Sequence, residues 1–189
     1  MINPKKNVLI IFISLVLMWG VSCATPAGES TKASAPIKRS NLTMESAVFD
    51  NATPSFSIKY PAAWKPSDKL VPGTFFEAKT GPYGVPMFTV ETFDPVKFGS
   101  LEETVASFCS HLETKHGGKN FNILSSAEIT LTGGIQAYEA ELEWKHPMSP
   151  LYTWVVLVNL GDSALIADVT DMKKVKDAYV QFLYTLKKY

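Results

Sequence analysis

Three glutamates that alternate along one predicted strand form the most prominent polar pattern in the sequence. Glu139, Glu141 and Glu143 are each two residues apart, so they share one face of a strand at intervals of about 6.6–7 Å. Like charges aligned in this way repel one another unless cations or basic groups intervene. We favour a solvated sheet face. The alternative is a cation-binding or partner-binding surface, because carboxylate oxygens suit Ca²⁺.

Other residues that could do chemistry are few. His111 and His116 are five residues apart, so on a helix they do not share a face as a pair of metal ligands would, and we expect both at the surface. The sequence contains no Gly-x-Ser-x-Gly nucleophile elbow, phosphate-binding glycine loop or HExxH helix. Two cysteines are too few for the usual cysteine-rich zinc sites. We therefore predict no catalytic residue, no metal site and no cofactor.

Aromatic and sulfur-containing side chains cluster around a predicted turn at 147–150. Such a group can form an interaction patch, but we favour core packing and a rigid turn. The members of the cluster are Trp144, His146, Met148, Tyr152 and Trp154.

The charges of the chain are balanced but unevenly distributed. The 189 residues include 18 Lys plus Arg and 18 Asp plus Glu. Residues 1–23 hold two lysines and no acid, which leaves 16 basic against 18 acidic residues in the remainder. Basic residues occur only in short groups such as Lys38 and Arg39, so a nucleic-acid partner is not expected.

The N-terminus has the organisation of an export signal. Lys5 and Lys6 precede a nearly unbroken apolar run over 8–21, which is the pattern of a secretory signal peptide. As a helix this run would be about 21 Å long, shorter than the roughly 30 Å hydrocarbon core of a bilayer. We therefore predict a signal peptide over 1–23 rather than a transmembrane helix.

The end of this run resembles the lipobox of bacterial lipoproteins, in which small residues precede a cysteine that becomes the lipidated N-terminus. Val21, Ser22 and Cys23 match that motif, whereas Gly20 stands where the family usually has leucine. We predict lipidation of Cys23, which would supply the two or more acyl chains that stable anchoring requires. The alternative is cleavage after Ala24 by an ordinary signal peptidase.

A flexible tether is predicted over 24–41 and a globular domain over 42–189. The tether is small, polar and punctuated by proline, so it cannot bury enough apolar surface to offset the entropy lost on ordering. The residue after Cys23 is Ala24 and not the aspartate that retains enteric lipoproteins in the inner membrane. We therefore expect the outer membrane, with the domain in the periplasm or at the cell surface.

The domain has the pattern of short strands with two helices. Ser100 and Glu103 predict a capping box at a helix start, and Gly117 predicts its end. Cys109 borders the apolar stripe of this helix, and we expect a small buried hydrophobe rather than a reactive thiol. The predicted strands are 44–49, 55–60, 74–79, 85–93, 135–146, 151–160 and 164–169, with a further strand or extended connection over 123–131, and the predicted helices are 101–116 and a last helix capped by Asp171.

The element order indicates an α+β domain. Strand 151–160 is apolar on both faces, which is typical of a central strand that is covered on both sides. Short links between consecutive strands favour antiparallel pairing over a doubly wound parallel sheet.

Residues 56–64, FSIKYPAAW, resemble the signature of the PsbP-like proteins, in which an aromatic and aliphatic strand is followed by proline, two small residues and tryptophan. The order of a hairpin, a helix, three strands and a C-terminal helix is similar as well. The resemblance implies a three-layer α/β/α sandwich around an antiparallel sheet. It also implies an exported accessory or binding protein without catalytic activity.

These features together predict a membrane-anchored envelope lipoprotein that acts as a non-catalytic accessory or binding protein. Its expected partners are the membrane, through the lipid, and an envelope protein or a small ligand. One alternative is an exported hydrolase or small-ligand enzyme whose site is assembled from dispersed residues, and another is a substrate-capturing lipoprotein. A deep pocket with a buried histidine or carboxylate would favour the enzyme, and a filled core without a pocket would favour the accessory protein. A ligand that co-purifies with the protein would favour the substrate-capturing lipoprotein.

Overall fold

The computed structural model describes residues 34–81, 84–93, 98–161 and 163–189. About half of these residues lie in strands, and two α-helices, α1 and α2, accompany them. The elements are β1 Ile37–Lys38, β2 Ser46–Ala52, β3 Ser55–Pro61, β4 Lys65–Pro66, β5 Thr74–Lys79, β6 Met87–Phe93, α1 Leu101–His116, β7 Lys119–Leu131, β8 Gln136–Lys145, β9 Pro150–Asn159, β10 Ala164–Asp171, α2 Asp177–Leu183 and β11 Lys187–Lys188.

The strands form one large and one small sheet. The large sheet has the order β1-β7-β8-β9-β10-β6-β5-β4, and the small sheet has the order β11-β3-β2. All strand pairs are antiparallel except β1 with β7, as the short connections predicted. Strand β9 lies between β8 and β10, which confirms the prediction of a central strand over 151–160.

Both faces of the large sheet are covered by apolar side chains. Alternate residues of a strand point to opposite faces, and those of β10 divide between two separate cores: Leu165 and Val169 join one, Ala164 and Ile166 the other. Helix α2 and the small sheet contribute to the first, which we name the α2 core. Helix α1 contributes to the second, which we name the α1 core.

Helix α1 has the predicted bounds because its ends are determined locally. The Ser100 hydroxyl accepts a hydrogen bond from the Glu103 backbone N–H, and the Glu103 carboxylate accepts one from the Ser100 N–H. Gly117 ends the helix in the left-handed conformation with φ of 67°, which glycine adopts without strain. The capping prediction is confirmed.

Helix α2 begins later than predicted. Asp171 ends β10, and its carboxylate accepts a hydrogen bond from the Met172 N–H, whereas the N-cap of α2 is Lys176. Between them Val175 is 3% exposed within the α2 core. The prediction that Asp171 caps this helix is wrong, because the chain first brings Val175 into the core.

The end of the predicted tether pairs with the sheet. Ile37 and Lys38 pair with β7, and the Asn41 N–H donates to Gln181 of α2. The structure thus differs from the flexible segment expected over 24–41, since two backbone attachments hold residues 37–41 on the domain. Neither helix of the described residues is long and apolar enough to cross a bilayer.

Candidate ligand cavity

A cavity of about 540 Å³ lies on the α1 side of the large sheet, at the C-terminal end of α1. This volume is within the range of small-molecule sites. Its walls come from β6, β10, the end of α1, and the turn between β8 and β9. The lining residues are Lys79, Gly84, Val85, Met87, Thr89, Glu91, Leu112, His116, Trp144, His146, Met148, Ser149, Leu151, Asp168, Thr170 and Met172.

Polar side chains on β6 and β10 form the floor of this cavity. Thr89 and Asp168 are paired across the two strands, and they are 7% and 6% exposed. Glu91 and Thr170, each two residues further along their strands, lie on the same face and are also buried. Buried polar groups of this kind are costly unless they are hydrogen-bonded, so their partners decide what the floor can bind.

The Glu91 carboxylate is fully engaged by neighbouring side chains. One oxygen lies 2.8 Å from His111 Nε2, and the other pairs with the Lys115 ammonium and accepts from the Thr74 hydroxyl at 3.2 Å. Lys115 also donates to Thr74. Because Lys115 neutralises Glu91, this pair adds no net charge to the floor.

Asp168 ends a relay of hydrogen bonds across the sheet. Trp144 Nε1 donates to the Thr153 hydroxyl at 2.9 Å, Thr153 and Thr170 are 2.8 Å apart, and Thr170 donates to Asp168 at 3.1 Å. Burial raises the pKa of Asp168 to about 7, although the Thr170 hydrogen bond and the positive charge of Lys115 oppose this change. Asp168 makes no ion pair with any described residue.

The two histidines of α1 face the sheet. His111 is bonded to Glu91, and burial lowers its pKa. His116 lines the cavity, and burial, together with the charges of Lys115 and of the other histidines, lowers its pKa to about 4. Our expectation that both lie at the surface is wrong, because the last two turns of α1 pack over the buried carboxylates of the floor.

The aromatic turn contributes to both cores. Trp144 is 3% exposed in the α1 core and, with His146 and Met148, lines the cavity. Tyr152 and Trp154 occupy alternate positions and pack against the α2 core. The expected core packing is confirmed for Trp144. Its ring lies so close to Gly118 that a Cβ there would be 2.7 Å from it, so the glycine after α1 allows the helix end and this ring to meet.

The glutamates of β8 lie on the other face of the sheet, toward the α2 core. Glu139 is 7% exposed, pairs with Lys38 at 2.8 Å and accepts from the Tyr184 hydroxyl at 2.7 Å. Glu141 is 5% exposed, and Lys174 Nζ lies 3.4 Å from its Oε1, which accepts no hydrogen bond among the described residues.

Glu143 is only partly buried, and it accepts a hydrogen bond from Tyr152 at 3.1 Å. The favoured interpretation of a solvated face is therefore wrong for Glu139 and Glu141, because α2 and β1 bring basic and hydroxyl groups over them. In the part of the chain that the structure describes, no three His, Cys, Asp or Glu side chains converge as metal ligands.

The predicted lipidation site, Cys23, and the signal peptide over 1–23 lie outside the described residues. Cys109 packs at the margin of the α1 core. Burial raises the pKa of its thiol to about 11, so the thiolate is scarce at neutral pH, as expected for a packing residue.

No protein-family model and no curated protein matches the sequence. A solved structure is similar in fold: the solution structure of cyanobacterial PsbP (CyanoP) from Synechocystis sp. PCC 6803 has a TM-score of 0.59 and 12% sequence identity, and the match covers 87% of this chain and 100% of that chain.

The chain has a PsbP-like fold. Two further structures are less similar. A Pseudomonas aeruginosa protein of unknown function, PA94, has a TM-score of 0.37 and 13% identity over 67% of this chain and 83% of its own. A Bacteroides thetaiotaomicron protein has a TM-score of 0.46 and 14% identity over 77% of this chain and 49% of its own. The PsbP-like fold agrees with the resemblance of residues 56–64, whose Trp64 is buried 5.0 Å from the ring of Tyr179.

Sequence reasoning missed the cavity floor. Glu91 and Asp168 are each the one carboxylate that faces the α1 side of a largely apolar strand. A single acidic residue at a core position of each strand was the sequence signal that could have indicated the site. That both carboxylates line one cavity depends on the pairing of β6 with β10, which cannot be read from the spacing of the residues.

Proposed function

We propose that this chain is an exported, lipid-anchored binding protein that holds a small ligand in the α1 cavity without converting it. The observation that carries the proposal is a mainly apolar cavity with the buried Asp168 on its floor. Apolar walls with a few convergent polar groups are typical of small-molecule sites. The ligand-capturing lipoprotein is thus favoured over an accessory protein with a filled core.

The envelope location and the layer arrangement belong to this proposal. The apolar run over 8–21 and the match to the lipobox at Cys23 support export and lipid anchoring, with the outer membrane as the expected site. Helix α1 on one face of the large sheet, and α2 with the small sheet on the other, support a three-layer sandwich.

Filling the cavity is expected to remove a co-purified ligand. Met87 lines the cavity and is partly buried, so Met87→Trp places a large ring in the ligand's space. We expect mass spectrometry of solvent extracts to find a small molecule that is retained by the full-length protein and lost from this variant.

The matched control is Met44→Trp, because Met44 is 36% exposed and lies outside the cavity; this variant should retain the ligand. Circular dichroism would confirm that both variants fold. Equal recovery of the same molecules from the wild type and Met87→Trp, or recovery of none, would contradict a ligand-binding function.

Anchoring is tested at the mature N-terminus. Mass spectrometry of the protein purified from membranes should identify an N-terminal peptide that begins at Cys23 and carries acyl chains. Cys23→Ser should abolish that peptide and release the protein from the membrane fraction. An unmodified peptide beginning at Thr25 would contradict the proposal.

A second candidate function is an enzyme that acts on a small ligand, because Asp168 and His116 line the same cavity. Among the described residues, no hydrogen bond joins His116 to a serine, threonine or cysteine side chain, so the arrangement of a nucleophile next to its base is missing. Hydrolysis of nitrophenyl esters that is lost in His116→Gln would favour the enzyme over the binding protein.

A further inference from the structure

The floor of the cavity contains a polar atom that is buried without a partner. The Thr89 hydroxyl has no hydrogen-bond partner among the described residues, although the side chain is only 7% exposed. An unsatisfied buried hydroxyl costs about 1–3 kcal/mol. Thr89 therefore offers a hydrogen bond that a ligand in the cavity can complete.

Asp168 lies directly across from Thr89. The two residues are cross-strand partners of β10 and β6, and such partners have Cβ atoms about 4.5–5.5 Å apart. Both side chains line the cavity. One small polar group can therefore reach the hydroxyl and the carboxylate together.

The hydrogen-bond relay makes Asp168 an acceptor. The indole N–H of Trp144 can only donate, so it must donate to Thr153, and Thr170 bonds to the Asp168 carboxylate. The Thr153 proton is then left for Thr170, which lies 2.8 Å away. The Thr153 and Thr170 hydroxyls thus both donate toward Asp168. The remaining lone pairs of the Asp168 carboxylate favour a ligand that donates a hydrogen bond.

The neighbouring charges leave Asp168 without a cation in contact. Lys115 pairs with Glu91 and not with Asp168, His111 bonds to Glu91, and the low pKa of His116 keeps its ring neutral at pH 7. Lys79 also lines the cavity, but it pairs with Glu77 at 2.9 Å. A positively charged ligand would therefore stabilise the ionised carboxylate, whereas an anionic ligand would be repelled by it.

Most of the wall around this floor is apolar and aromatic. Leu112, Leu151 and Met172 line the cavity beside the indole ring of Trp144. Such walls accommodate a hydrocarbon or aromatic body, and the face of an indole attracts cations.

We propose that the cavity binds a small organic ammonium with an aromatic or apolar body, whose nitrogen donates hydrogen bonds to Asp168 and Thr89. This inference rests on the proposed ligand-binding function and names the ligand class. The body of the ligand lies against Trp144 and Leu112.

The test compares three probes that share one aromatic body. Tryptamine carries an ammonium, tryptophol a hydroxyl and indoleacetate a carboxylate. They are titrated calorimetrically into the full-length protein in dodecyl maltoside. Tryptamine should bind at least about tenfold more tightly than tryptophol, because a charge-assisted hydrogen bond is stronger than a neutral one, and indoleacetate should give no binding heat.

Two variants test whether Asp168 and Thr89 cause the preference for tryptamine. Asp168→Asn keeps the size of the side chain and removes its charge, so tryptamine should lose its advantage over tryptophol. Thr89→Val removes only the hydroxyl and should weaken tryptamine about tenfold, while the unliganded variant remains as stable as the wild type or becomes more stable. Thermal unfolding checks that both variants fold.

The possible outcomes distinguish a wrong ligand class from a wrong ligand-binding function. Equal affinities for tryptamine and tryptophol, tighter binding of indoleacetate, or no heat from any probe would overturn the ammonium assignment. If Met87→Trp still loses a co-purified molecule, the ligand-binding function stands. If tryptamine binds as tightly to Asp168→Asn and Thr89→Val as to the wild type, the assignment of these two residues is wrong.

Discussion

Replacement of Asp168 by asparagine is expected to leave the stability unchanged at pH 4 and to raise the free energy of unfolding by about 4 kcal/mol above pH 7. Burial raises the pKa of this carboxyl from its ordinary value of 3.8 to about 7. Between these values the folded protein keeps a proton that the unfolded chain has lost. Stability therefore falls as the pH rises through this range, and the loss is complete above pH 7. Asparagine removes the ionisation and can still accept the hydrogen bond from Thr170.

His116 has the opposite effect in an overlapping range. Its pKa is lowered from 6.5 to about 4 in the folded protein, so the unfolded chain binds a proton that the folded protein lacks. This contribution makes stability rise as the pH increases from about 4 to 6.5, which partly offsets the effect of Asp168. The difference between the variant and the wild type at each pH isolates Asp168.

The measurement is urea unfolding of the wild type and Asp168→Asn at pH 4 and pH 7.5. A stabilisation that is the same at both pH values would reflect repacking rather than ionisation. A variant that is less stable than the wild type at pH 7.5 would contradict the raised pKa and, with it, the absence of a cation beside this carboxylate.

The second large effect is expected at the ion pair of Lys115 and Glu91. Lys115→Met should lower the free energy of unfolding by about 3–5 kcal/mol, because removing one partner of a buried ion pair leaves the other charge uncompensated. Glu91 is 2% exposed, and without Lys115 its remaining side-chain partners among the described residues are the His111 ring and the Thr74 hydroxyl. Urea unfolding at pH 7.5 measures the loss.

A double variant and a matched control make this prediction specific. Glu91→Gln combined with Lys115→Met should recover most of the stability, since the neutral amide no longer needs a cation. Lys173→Met makes the same change at an exposed lysine and should have little effect. Equal losses in the single and double variants would show that packing of the Lys115 stem, and not charge compensation, stabilises this region.

The predictions for Asp168→Asn and Lys115→Met both depend on how the protein compensates the buried carboxylates of the cavity floor. Glu91 is neutralised by the protein itself, whereas Asp168 is not. The buried charge of Asp168 thus destabilises the protein at neutral pH. A cationic ligand would remove this cost, so ligand binding and stability are linked through the same atoms.

Local interactions made parts of the fold predictable. Helix α1 has its predicted bounds because the capping hydrogen bonds of Ser100, Glu103 and Gly117 join residues within a few positions of one another. Strand β9 was expected in the centre of a sheet because its apolar side chains occupy both faces, and it lies there. The later start of α2 was missed because Val175 first enters a core whose other members are distant in sequence.

The glutamates of β8 show what local sequence patterns cannot predict. Alternation correctly placed Glu139, Glu141 and Glu143 on one face. It did not show that the Tyr184 hydroxyl and Lys38 cover that face, because these groups come from opposite ends of the described chain.

The sequence by itself determined the strand and helix pattern, the PsbP-like resemblance of residues 56–64 and the prediction of export and lipidation at Cys23, because each depends on neighbouring residues. Only the tertiary structure decided that the α1 side of the large sheet contains a cavity. Its floor joins Thr89 and Asp168, which are far apart along the chain and meet because β6 pairs with β10. Strand pairing over such distances is governed by the packing of the whole sheet, so no local pattern contains the site.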